Sequence, residues 1–186
     1  MKAKRIVVGI SGASGVIIGI RTAQELLAAG REVHVIVTDA AWQVIRHEVK
    51  EDFRFPKGLT VHGQDDAASP LNSTSFLVEA MVVAPCSVKS LSALAAGYAN
   101  NLLIRAADGV LRTGGKLIVV PRETPLSLAA LSNMVALRRG GAIVMPPCAA
   151  YYHKPRSVAD MTDFFVGKIL DLLGVEHKLV RRWGGK

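Results

Sequence analysis

An α/β fold, a three-layer, doubly wound and mostly parallel sheet with helices on both faces, is predicted by two features of this 186-residue sequence. Short runs rich in Val and Ile alternate with longer stretches whose apolar residues recur at helical spacing, which is the pattern of strand–helix–strand units. The strand runs are apolar almost throughout rather than at every second residue, so both faces of the sheet must be covered. Right-handed crossovers between parallel strands then place helices on either side.

The elements follow in order. Strands are expected at Lys4 to Ile10, Glu32 to Val37, Ala80 to Ala84, Lys116 to Val120 and Ala142 to Met145, each bounded by Gly, Pro or polar residues. Helices are expected between them, at Gly15 to Ala29, Ala40 to Val49, Val88 to Ala96, Asn101 to Leu111 and Leu126 to Leu137. Phe53 to Ser75 carries Pro56, Gly58, Gly63 and Pro70 and reads as a long loop, with one short extra strand near Leu59 to Val61. Tyr151 to Pro155 reads as a turn, Val158 to Leu173 as a last helix capped by Ser157, and Gly174 to Lys186 as a basic tail.

The length suits one domain over residues 1–186, with the last helix and tail (157–186) as an appendage. Half the residues are hydrophobic, which excludes a disordered chain, yet no apolar run approaches the roughly 20 residues of a membrane span. The basic start resembles a signal peptide, but Ser11, Gly12, Ser14 and Gly15 interrupt the apolar region. Two cysteines, Cys86 and Cys148, are too few for a disulfide framework and lack metal-ligand spacing; they read as small packing residues in a reduced, cytoplasmic protein with no metal site. Lys and Arg outnumber Asp and Glu by 23 to 15, a net charge of +8 that suits a phosphorylated ligand. These cations are scattered and only three tyrosines and two tryptophans are available for base stacking, which argues against nucleic acid.

Ligands of an open parallel sheet bind beyond the carboxyl ends of its strands. After the first strand lies Gly9-Ile10-Ser11-Gly12-Ala13-Ser14-Gly15, small residues that let backbone and helix-start amides approach a phosphate or a ring. After the second, Thr38 reads equally as a helix cap or a ligand contact, and Glu48, ten residues on, as a solvated helix residue or one folded back to the site. After the third, Ser87, Val88, Lys89 and Ser90 combine a helix start, hydroxyls and a cation into an anion site. After the fourth, Pro121-Arg122-Glu123-Thr124-Pro125 sets a cation beside a carboxylate between two prolines, so that Arg122 can bind a phosphate and Glu123 handle a proton. After the fifth, Tyr151-Tyr152-His153-Lys154-Pro155 reads either as further ligand contacts or as a packed turn with an exposed histidine.

Taken together, Gly9 to Gly15, Ala84-Pro-Cys-Ser87, Asn101-Leu-Leu-Ile-Arg-Ala-Ala-Asp108, Pro121 to Pro125, Tyr152-His-Lys-Pro155 and Arg182-Trp183 resemble the flavin prenyltransferases of the UbiX type, and the resemblance covers essentially the whole chain. It implies a flavodoxin/Rossmann-like, dodecameric, metal-independent enzyme. Such an enzyme joins the dimethylallyl group of dimethylallyl phosphate to N5 and C6 of reduced FMN, and the prenylated FMN serves a UbiD-type decarboxylase.

The same resemblance implies that Gly12, Ala13, Ser14, Thr38, the segment Ser87, Val88, Lys89 and Ser90, and Arg122 hold FMN. It implies that Tyr152, Lys168, Arg105 and Arg112 bind the substrate phosphate, some from neighbouring subunits, and that Ser14, Glu48, Glu123 and Trp183 surround the reacting centre. Lys168 stands where the family commonly has Arg, a point charge in place of a bidentate fork. Two alternatives share the fold: a flavin-dependent cysteine decarboxylase and a non-catalytic FMN-binding module. The decarboxylases carry Asn-bearing and Met-Asn-bearing segments where this chain has Pro85-Cys-Ser-Val-Lys-Ser90 and Pro121 to Leu126.

Overall fold

The computed structural model describes residues 5–180, which form a six-stranded sheet flanked by six helices. The strands are β1 (Arg5–Ile10), β2 (Glu32–Val37), β3 (Thr60–Gly63), β4 (Ala80–Cys86), β5 (Lys116–Pro121) and β6 (Ile143–Val144). The helices are α1 (Val16–Ala28), α2 (Asp39–Glu48), α3 (Val88–Ala96), α4 (Leu102–Arg112), α5 (Leu128–Arg139) and α6 (Val158–Leu173). The strand order is β3-β2-β1-β4-β5-β6 and every paired neighbour is parallel. The chain therefore reverses its direction of growth between β1 and β4, the point at which such sheets bind ligands.

Alternate residues of each central strand feed two separate cores, as the pleat requires. Ile6, Val8 and Ile10 of β1, with Val33, Val35, Val82, Ala84, Ile118 and Val120, pack beneath α1, α2 and α6. Val7, Ile36, Met81, Val83, Leu117 and Val119 face the opposite way, onto α3, α4 and α5. Sealing both faces is what the continuous apolar runs demand, and each fully buried Ile or Leu contributes about 1.5–3 kcal/mol. Five of the six helices start on polar caps: the side chains of Thr38, Ser87, Asn101, Ser127 and Ser157 each accept a hydrogen bond from the third residue of their helix, while α1 starts on Gly15.

Differences from expectation are local. The extra strand sits at Thr60–Gly63 rather than Leu59 to Val61, because β3 is placed by pairing with β2 (His34 beside Thr60, Val37 beside Gly63) rather than by its own apolar residues. The third strand extends through Cys86, past a register shift after Val83. The fifth helix begins only at Leu128, after the Thr124–Pro125 cis peptide and the Ser127 cap. Lys4, expected to open β1, lies outside the described residues.

Candidate active site

The register of the central strands brings their carboxyl ends level, Ile10 beside Val37 and Cys86 beside Pro121, so the loops that follow share one edge of the sheet. The loop after β1 is buried at Ser11 and opens towards solvent from Gly12 to Gly15. Gly15 takes φ 89°, a conformation that Gly adopts without strain, and turns the chain into α1. Gly12 is equally constrained: a Cβ there would lie 2.4 Å from that of Ala40, so the loop packs directly on the start of α2.

Glu48 belongs to this loop despite its distance in sequence. It closes α2, and its carboxylate accepts a hydrogen bond from the Gly15 amide at 2.8 Å. Glu48 is exposed, yet its carboxylate is turned back to the first loop instead of being given wholly to solvent. Thr38 is buried, with its hydroxyl accepting from the Ala41 amide at 3.1 Å, so its role in the isolated chain is that of a helix cap.

The loop after β4 is joined to that after β1. The Ser11 hydroxyl donates to the Pro85 carbonyl at 2.9 Å and accepts from the Ser87 amide at 2.7 Å. Ser87 in turn caps α3, its hydroxyl accepting from the Ser90 amide at 3.2 Å and lying 3.1 Å from the Ser90 hydroxyl. First-turn amides of a helix have no partner inside it, so those of Val88 and Lys89 remain available to an anion, with the exposed Lys89 side chain beside them. Cys86 is wholly buried and burial pushes its thiol up to about 12, which makes it an inert packing residue.

After β5 the chain borders a cavity of ≈ 510 Å³ lined by Pro121, Arg122, Glu123, Thr124, Pro125, Leu126, Met134 and the Pro146-Pro147-Cys148 segment that follows β6. The Arg122 amide donates to the Cys86 carbonyl at 3.1 Å, tying this rim to the loop after β4. Glu123 folds back so that its carboxylate accepts from the Thr124 amide at 2.9 Å. Its second oxygen remains for a ligand. Cys148 is exposed on the cavity wall, contrary to the expectation of a buried packing residue, because the chain after β6 runs along the surface instead of entering a core.

The remaining expected residues divide. Tyr152 packs edge-on against Phe164, and the Lys168 ammonium lies 5.5 Å from the centroid of the same ring, so Phe164 organises both. His153 is stacked flat on Phe164 at 4.8 Å and is not the exposed residue of the packed-turn reading; both its ring nitrogens are buried without a hydrogen-bond partner among the described residues. Arg105 and Arg112 are not brought to the cavity. They lie one turn and more along α4, exposed, where Arg105 donates to the Asn72 carbonyl at 3.3 Å and Arg112 pairs with Asp108 at 2.8 Å. Trp183 lies outside the described residues. The sequence marks Ser11 only as one of the small residues of the first loop; its burial amid an otherwise open loop is visible only once β1 and β4 are neighbours. Among the described residues no group of His, Cys, Asp and Glu is arranged to hold a metal, and no helix is long and apolar enough to cross a membrane.

These features fit a flavin nucleotide: glycines that admit close approach, hydroxyls at Ser14, Ser87 and Ser90, amides at the start of α3 for its phosphate, and a cavity next to them. Residues 1–171 match the family model described as Flavoprotein. A flavin prenyltransferase UbiX from Alkalihalophilus pseudofirmus is 44% identical over 193 residues, covering 97% of this chain and 96% of that protein. A crystal structure of AnUbiX (PadA1) in complex with FMN and dimethylallyl pyrophosphate superposes with a TM-score of 0.93 at 36% identity, over 100% of each chain. That of a dodecameric FMN-dependent UbiX-like decarboxylase from Escherichia coli O157:H7 gives 0.91 at 38% identity, over 97% of this chain and 100% of the other. With the crevice between β1 and β4, the Arg122–Glu123 rim and similarity along nearly its whole length, this chain belongs to the UbiX family of flavin prenyltransferases.

Proposed function

We propose that this protein joins the dimethylallyl group of dimethylallyl phosphate to N5 and C6 of reduced FMN, both bound as substrates, and releases prenylated FMN. The observation that carries the reading is the ≈ 510 Å³ cavity in which a cation, Arg122, and a carboxylate, Glu123, stand at the mouth of a crevice suited to a flavin. Gly12, Ala13, Ser14, Thr38, the Ser87 to Ser90 segment and Arg122 hold the flavin. Glu48 keeps Gly15 and hence Ser14 in place. Tyr152 and Lys168 take the substrate phosphate, the phenol by a hydrogen bond and the Lys168 ammonium by its charge, which stabilises the charge that develops on the phosphate as the allylic C–O bond breaks. Glu123 or the released phosphate takes the proton lost from C6 when the ring closes.

Arg105 and Arg112, exposed and away from the cavity, complete the phosphate site of a neighbouring copy. The apolar exposed face of α5, with Leu128 at 81%, Leu131 at 46% and Val135 at 50%, supports an extensive homo-oligomer, and the dodecameric relative suggests the subunit number. The protein acts as one flavin-binding domain in the cytoplasm and hands its product to a UbiD-type decarboxylase.

The test is anaerobic incubation with reduced FMN and dimethylallyl phosphate, or separately the pyrophosphate, followed by mass spectrometry of the flavin. An adduct one C5 prenyl unit heavier is expected; its absence from FMN-loaded, folded protein rejects the assignment. Turnover of a cysteine-ended peptide instead would favour the decarboxylase.

A further inference from the structure

We infer that Ser11 is a positioning residue for the flavin: its hydroxyl clasps the loops after β1 and β4 together and thereby fixes the separation of the Gly12–Ser14 backbone and the α3 start, which receive the nucleotide. This rests on reading those loops as the flavin site, and goes beyond it by assigning a role to a side chain that does not itself touch the ligand.

The geometry is specific. Ser11 is 1% exposed, although its neighbours Gly12, Ala13 and Ser14 are partly open. Its amide donates to the Pro85 carbonyl at 3.2 Å, its hydroxyl donates to the same carbonyl at 2.9 Å, and that hydroxyl accepts from the Ser87 amide at 2.7 Å. A hydroxyl has one proton to give and lone pairs to receive, so one side chain satisfies both the last carbonyl before the turn and the amide that begins it. β1 and β4 end their ladder at Gly9 and Val83, so beyond those residues no regular strand pairing holds the two loops. The Ser11 contacts continue the linkage past that point. Both loops depend on it: the β1 loop leads through Gly15 into α1, and the β4 loop leads through the Ser87 cap into α3.

An alanine at position 11 keeps the amide-to-carbonyl bond but leaves the half-buried Ser87 amide without its acceptor, and an unpaired donor partly removed from water is costly. The Ser87 turn then relaxes, and the amides of Val88 and Lys89 lose their fixed distance from the Gly12–Ser14 backbone. Ligand affinity suffers more than the fold, because both hydrophobic cores lie beneath this level of the sheet.

The test compares wild type, Ser11→Ala, Ser11→Thr and Ser11→Cys for FMN dissociation constant, thermal midpoint without flavin, and kinetics with dimethylallyl phosphate. Ser11→Ala is expected to bind FMN about tenfold more weakly, the scale of one lost hydrogen bond, and to broaden the vibronic structure of the bound-flavin spectrum. KM for dimethylallyl phosphate should hold, since Tyr152 and Lys168 are untouched. Ser11→Thr, which keeps the hydroxyl, should restore affinity to within about threefold of wild type. If Ser11→Ala does not fold, Ser11→Cys, of similar shape but with a weak donor and acceptor, carries the comparison. FMN affinity unchanged in the alanine or cysteine variant, whatever its thermal midpoint, overturns the clasp, as does a threonine variant as weak as alanine. Wild type that binds FMN but forms no adduct would overturn prenyl transfer while the clasp is still decided by the affinities.

Discussion

Arg122 and Glu123 are adjacent in sequence and both line the cavity, and the proposed reaction gives them different roles. Glu123 has one carboxylate oxygen held by the Thr124 amide, so a neutral amide at that position can keep the hold while losing the capacity to take a proton. Glu123→Gln should therefore bind FMN within about threefold of wild type but lower adduct formation roughly 10²-fold or more, the usual contribution of a general base; stopped-time mass spectrometry of the flavin checks it, and normal turnover rejects the role. The two cysteines make the complementary point about environment. The Cys86 thiol is raised to about 12 by burial while Cys148 is exposed on the cavity wall, so a thiol reagent should label only Cys148 in the native protein. Intact-mass measurement of the labelled protein, followed by peptide mapping, checks this; a second label on Cys86 without unfolding would contradict the structure.

At the scale of elements, the helices begin where polar caps stop the strands' successors from fraying, and α6 has the most complete start. Ser157 accepts from the Asp160 amide at 3.1 Å while the Asp160 carboxylate accepts from the amides of Arg156, at 2.7 Å, and Ser157, at 3.1 Å. Those bonds, the Arg156 amide first, hold the Asp160 carboxyl below its ordinary value. Losing the cap should cost about 1 kcal/mol, so Ser157→Ala should lower the thermal midpoint by roughly 2–4 °C in a chain of this size. Because α6 carries Phe164 and Lys168, the same variant tests whether the phosphate end of the site depends on helix register: KM for dimethylallyl phosphate should rise while FMN affinity stays put. Calorimetry and steady-state kinetics read the two effects separately.

The molecule as a whole should weaken in mild acid and should assemble. His34 on β2 is pressed below its ordinary value of 6.5 chiefly by burial, and Glu32 is held below 4.5 chiefly by the Arg5 guanidinium, at 2.7 Å. A depressed pKa means that the unfolded chain binds the proton first, so stability from His34 is complete above about 6.5 and is lost as pH falls through its lower folded value. Glu32 repeats this below about 4.5. The thermal midpoint should thus decline from pH 7 to 5.5, and His34→Gln should flatten that limb; an unchanged slope would remove His34 from the account. The proposed assembly is assigned to α5, whose outward face keeps Leu128, Leu131 and Val135 exposed in the single chain. A Leu131→Asp, Val135→Asp double variant should shift light-scattering mass to a smaller species, while far-ultraviolet dichroism remains that of a folded α/β protein; an unchanged mass would clear α5 of the interface.

By itself the sequence determined the periodic features: which runs of the central sheet are strands, that both sheet faces are covered and, closely, where most helices start; it also marked the strand-end segments as candidates for the chemistry. Those follow from local spacing and from residues such as Ser87, Asn101 and Ser157, whose capping is decided within a few positions. What only tertiary structure decided was which distant groups meet. Glu48 reaches Gly15 because α2 packs back beside the β1 loop; Ser11 clasps Pro85 and Ser87 because β1 and β4 become neighbours; Arg105 and Arg112 stay away from the cavity because α4 points them outward. No local pattern records such pairings, since they depend on strand order and on the angle at which each helix lies across the sheet.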